Sequence, residues 1–168
     1  MVETIAENLE KGKYLLENIS DKEYTDKSLP PFYSSIGGHM RHVLDVFKCV
    51  FNGLELNQPI DLTLRERNIL AETTVKGGLN YIHRMIEGLH QLNQVDMNRE
   101  VTIIDDLGKG KQKVKSTLGA ILFQAHSHAI HHFATIGYMM HALKITLPID
   151  RFGVNPTTPQ SQLTSIRR

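Results

Sequence analysis

The stretch LGAILFQAHSHAIHHFATIGYMMHAL, residues 118–143, decides how this chain is read. Leu118, Leu122, Ala125, Ala129, His132, Ile136, Met139 and Leu143 recur in steps of three and four, the spacing of one buried face of a bundle helix. Ser116 or Thr117 supplies an N-cap, and Pro148 a stop. Projected at about 100° per residue, His132 falls inside the stripe and His128 at its edge. His126 and His131 fall on opposite flanks, and His141 points away. His128 and His132 are four residues apart and stand one above the other, which is how one helix offers two imidazoles to one transition metal. A lone histidine on an apolar face is more often core filler. Two desolvated imidazoles on one face both need partners, and a divalent ion satisfies both.

A third ligand must come from elsewhere. Ser34-Ser35 caps a second helix running to about Asn52 or Leu56, with Ile36, Met40, Val43, Phe47, Val50 and Leu54 as its stripe. It carries His39 and His42. Periodicity favours His39, nearer the stripe centre; His42 lies at the edge beside Val46 and Cys49. Asp45 reads as an acceptor behind His42 or as a solvated acid.

Working outward, Val2 to Ile19 is an amphipathic helix built on Ile5, Leu9, Leu16 and Ile19. Asp21 to Ser35 contains Pro30-Pro31 and is a long connection. Pro59 to Asp61 breaks the helical pattern. A third long segment runs from Thr63 to Leu92, with a kink or split expected at Gly77-Gly78, since each glycine weakens a helix by about 1 kcal/mol relative to alanine. Tyr81 and His83 within it are further candidates for reaching the site. Val101 to Ile104 and Gln112 to Lys115 flank Asp105 to Gly110 as a short hairpin or ordered excursion. Residues 149–168 read as an irregular tail. The expectation is an all-α four-helix bundle in one domain, residues 1–168.

The chain has 168 residues, enough to bury roughly 70% of its unfolded surface without a metal staple, so any ion is functional before it is structural. Nineteen basic and 18 acidic residues leave a formal charge of +1, which implies no attraction to nucleic acid or to an anionic membrane. Lys109, Lys111, Lys113 and Lys115 form a basic run without interleaved aromatics, a solvated hairpin and not a stacking platform. Cys49 is the single cysteine, which rules out an intrachain disulfide and reads as buried packing on the second helix in a reducing compartment. Met1 to Thr4 opens without an apolar leader, and no window is long and apolar enough to span a membrane; the expected location is cytoplasmic. His-Glu-x-x-His is absent, because Ala129 follows His128, and Gly108-Lys109-Gly110 lacks the spacing of a phosphate loop. Tyr138, Met139 and Met140 read as core or dimer-face residues.

Ser35 to Asp45, with the order Gly-Gly-His-Met-Arg-His, resembles the opening motif of DinB-like proteins (the DinB/YfiT superfamily). Residues 128–132, His-Ala-Ile-His-His, resemble their last-helix motif. Arg65-Glu66-Arg67 and residues 151–159 resemble an uncharacterised branch of the same family. The resemblance implies an up-down-down-up four-helix bundle, often dimeric, holding a divalent metal. Carried over by position, it makes His42, His128 and His132 the ligands, overruling the periodicity preference for His39, and leaves His39 and His131 to shape the pocket. Zinc or nickel suits imidazole donors better than magnesium does. The resemblance further implies a thiol-dependent S-transferase, with a low-molecular-weight thiol as cosubstrate and a small-molecule electrophile. No second functional motif matches. A metal-dependent hydrolase and a non-catalytic metalloprotein or stress-related binding protein stay open beside it.

Overall fold

Four long helices carry the apolar stripes: α1 (Val2–Leu16), α3 (Ile36–Glu55), α5 (Val75–His90) and α6 (Leu118–Ala142). They come from a computed structural model, which describes residues 1–147 and 149–159. Three of the four begin at a hydroxyl side chain that satisfies an orphan helix N–H: Ser35 accepts from Gly38, Thr74 from Gly77, and Thr117 from Ala120. Side-chain meetings fix the directions. Glu3 pairs with His90 while Leu16 lies against Gly78, so α1 and α5 are antiparallel. Asp45 meets Tyr81 and Phe51 meets Gly88, so α3 and α5 run the same way. His39 meets His132 and His42 meets His128, so α3 and α6 are antiparallel. The order is up, down, down, up. One contiguous apolar cluster runs from Val2 to Phe152, with Tyr24, Phe47, Tyr81 and Phe133 among its fully buried side chains.

The fold is mainly helical, not wholly so. Three strands, β1 (Ile60–Asp61), β2 (Glu100–Asp106) and β3 (Lys111–Thr117), form a small mixed sheet in the order β1-β2-β3. The hairpin expected between the third and fourth long helices is present and longer than its apolar residues suggested. Gly108 and Gly110 turn it with φ of 92° and 95°, and Asp106 Oδ1 accepts from both glycine N–H groups. The β1 strand, in what reads as a break, pairs parallel with β2 at Ile60↔Ile103. Leu62 then donates its N–H to Ile104 O at 2.8 Å. That anchor fixes the loop after β1, and with it Arg65, beside α3.

The third long segment is also corrected. Residues 63–68 are not helical; α4 (Ile69–Thr73) is a short helix, and the split falls at Thr74. Gly77 and Gly78 lie in the first turns of α5, where they permit close approach. A Cβ on Gly77 would come 2.1 Å from Leu70 O, and one on Gly78 2.6 Å from Tyr24 Oη. The connection after α1 holds one further turn, α2 (Asp21–Tyr24), closed by a reciprocal Ser20–Glu23 capping box. Residues 149–159 are irregular as expected but not loose. Phe152 is 5% exposed and stacks on Phe133 with centroids 4.8 Å apart. Pro148, read as the stop of the last helix, and residues 160–168 lie outside the described residues.

Candidate metal centre

Because α3 and α6 are antiparallel neighbours, the two histidines one turn apart on α3 face the two on α6. His42, His128 and His132 offer nitrogens that all lie within 4.8 Å of one another. His42 Nε2 and His128 Nε2 are 2.9 Å apart. The rings of His42 and His132 stand 4.8 Å apart and those of His128 and His132 4.5 Å apart. His39 joins from the outer side, with its Nδ1 2.8 Å from His132 Nδ1 and its Nε2 2.9 Å from Ser34 Oγ. Both α3 histidines touch the cluster, and His42 is the one grouped with His128 and His132.

The other histidines are elsewhere. His131 packs edge-on to His132 at 5.4 Å. His126 Nε2 is 2.9 Å from Asn8 Nδ2 and ties α6 to α1. His83 is exposed and pairs with Glu87, while Tyr81 is buried and donates to Asp45 at 3.0 Å; neither reaches the cluster. Asp45 is neither a solvated acid nor a partner of His42. It is fully buried and held by Arg41 at 2.6 Å, and Arg41 in turn reaches Glu72 at 3.2 Å. The group behind His42 is Arg65, whose Nη1 lies 3.2 Å from His42 Nδ1. That contact has no signature in residue spacing; it depends on the β1–β2 pairing. Cys49 is buried, its Sγ 3.7 Å from Leu64 O, and burial pushes its thiol up to about 11, so it packs and does not react.

Burial also keeps the imidazoles neutral. Desolvation first, then the neighbouring histidines and Arg65, lower His42 to about 4. Desolvation, His128 and His42 lower His132 to about 3. Desolvation likewise depresses His128 and His39. Neutral imidazole is the ligating form. Tetrahedral zinc with nitrogens at 2.0–2.1 Å sets ligand atoms roughly 3.3 Å apart, so His42 and His128 need to part by only a few tenths of an ångström. The donor set therefore fits a divalent transition ion, with three neutral imidazoles and no carboxylate among them.

His39 and His132 line two cavities, and His42 lines one of them. One, of about 320 Å³, has Lys27, Ser34, Arg41, His42, Glu72 and His132 in its wall. The other, of about 420 Å³, is lined by Leu29, Pro30, Phe32, Tyr138 and Met139 above His39 and His132, with no charged side chain. Tyr138, read as core or dimer face, is 79% exposed and stands at the rim of that cavity; Met140 is core.

No family model matches the chain, and no curated protein matches it. Among solved structures, the fold is similar to that of a DinB-like protein from Bacillus subtilis. The TM-score is 0.58 over 86% of this chain and 92% of that chain, at 22% sequence identity. At that identity the likeness shows the fold. The histidine geometry is this chain's own.

Proposed function

We propose that this chain is a divalent-metal-binding protein of the DinB-like family and a thiol-dependent S-transferase acting on a small electrophile, with His42, His128 and His132 as the ligands. One observation carries the metal reading: three neutral imidazoles from two helices converge within 4.8 Å, and two of them, His42 and His132, line an open cavity. The transferase reading is supported by the motif resemblance and the likeness in fold. A zinc or nickel ion held by three neutral ligands would keep its full charge and favour thiolate over thiol. Around it, the chain's own groups bind and orient. Leu29, Phe32, Tyr138 and Met139 give the electrophile an apolar berth beside His132, and the cavity's volume suits a small molecule. On the opposite side Lys27 and Arg41 are paired with Glu72, so that wall offers the cosubstrate hydrogen-bonding groups and no unpaired charge. The proposed assembly is a cytoplasmic homodimer; no helix among the described residues is long and apolar enough to cross a membrane.

The test is metal analysis of untagged protein, followed by conjugation assays with common cellular thiols and a small aromatic electrophile, with and without chelator. Chelation should remove activity and added zinc or nickel restore it. Metal-loaded protein that consumes no electrophile with any thiol would overturn the transferase reading.

A further inference from the structure

The outward nitrogens of the candidate ligands meet partners of opposite character. Arginine donates hydrogen bonds and accepts none. The 3.2 Å contact from Arg65 Nη1 therefore makes His42 Nδ1 an acceptor, and the proton of this neutral ring sits on Nε2, pointing at His128 Nε2 2.9 Å away. Nε2 is the nitrogen an ion would need. When an imidazole ligates through Nε2, its proton sits on Nδ1 and is donated outward. Arg65 cannot receive it. At His132 the partner differs, because an imidazole can accept as well as donate. Its Nδ1 faces His39 Nδ1 at 2.8 Å, and His39 can accept that proton because its own Nε2–H has Ser34 Oγ to bond at 2.9 Å. Arg65 is held otherwise by the Leu62 carbonyl at 3.1 Å, and no carboxylate among the described residues pairs with it. Its contact with His42 is exposed, so it is free to leave.

We propose that Arg65 and His39 are opposed positioning residues. Arg65 holds His42 in the tautomer that cannot ligate and must swing away when the site loads, whereas His39, backed by Ser34, holds His132 in the tautomer that can. The proposal rests on the metal reading of the site.

Zinc affinity of untagged wild type, Arg65→Met, His39→Leu and His39→Gln, measured by competition with a chromophoric chelator, tests both halves. Arg65→Met should bind zinc more tightly, on the order of tenfold, and His39→Leu more weakly, by about 10–100-fold. His39→Gln should recover most of that loss, because its amide oxygen accepts the same N–H. Removing Arg65 also removes a positive charge, so the tautomer is read directly from nitrogen-15 imidazole spectra of metal-free protein. His42 should carry its proton on Nε2 in wild type and on Nδ1 in Arg65→Met. A proton on Nδ1 of His42 in metal-free wild type overturns the assignment of Arg65, and does so even if the variant fails to fold. Equal losses in His39→Leu and His39→Gln overturn that of His39. Wild type that binds no zinc overturns the metal reading itself, and this proposal with it.

Discussion

Deleting one imidazole from a three-nitrogen cluster leaves two donors, too few to hold a transition ion tightly. His128→Ala and His132→Ala should therefore each cost zinc affinity well beyond the 10–100-fold typical of changes behind a ligand. His141→Ala should change nothing, because His141 is exposed near the far end of α6. Calorimetric titration of the three variants checks this, and intact binding by His128→Ala would remove that residue from the site. His128 and His132 were legible from spacing alone, since four residues on one helix can only mean one face. His42 was not. Helical projection placed it at the edge of its stripe, and only the motif resemblance set it above His39. The edge position has a physical reason: a ligand facing an open cavity belongs at the border of the core, and all three clustered histidines are half-buried.

At the scale of the helix, α3 is pinned by a polar lock beneath the histidines. Asp45 is fully buried between Arg41 and the Tyr81 hydroxyl. Asp45→Ala leaves Arg41 with Glu72 as its partner and strands the tyrosine O–H, and should destabilise the fold by roughly 1–3 kcal/mol in urea denaturation. Tyr81→Phe removes one hydrogen bond to a charged oxygen and should cost about 1.5–3 kcal/mol. A loss below 1 kcal/mol in Asp45→Ala would show that the pair is not structural. None of this was readable from the sequence, because Asp45 and Tyr81 meet only after α3 and α5 are packed in parallel. The same limit hid β1: two residues have no periodicity, and Ile60–Asp61 is a strand only because β2 lies beside it. Conversely, α1, α3, α6 and the hairpin were readable because each carries its signal locally, as a stripe, a cap or a glycine turn. The split at Thr74 was missed for a related reason. Two adjacent glycines look like a helix break, but here the missing Cβ atoms admit Leu70 and Tyr24.

For the molecule as a whole, the histidine cluster is a stability cost that an ion should relieve. The apolar core includes none of the three candidate ligands, so chelation should lower the melting temperature without unfolding the protein, while zinc at a thousandfold excess over its dissociation constant should add about 4 kcal/mol. The metal-free protein should also be sensitive to acid, and the sign follows from the depressed values. In the unfolded chain each histidine takes up its proton near pH 6.5. In the fold His42 does so only near 4 and His132 near 3, both held neutral chiefly by desolvation. Between those limits the unfolded state binds more protons than the folded one, so stability is full above about pH 6.5 and is lost as pH falls towards 4 and then 3. Urea midpoints at pH 7.5 and pH 5 should therefore differ more for metal-free wild type than for His42→Ala/His132→Ala, in which two of the depressed groups are gone. Zinc should protect the wild type across the same interval and leave the double variant unaffected, since the nitrogens that exclude protons are the ones that would hold the ion. Equal acid losses in the two metal-free proteins would place the pH sensitivity elsewhere and remove the energetic link between burial of the cluster and its use as a site.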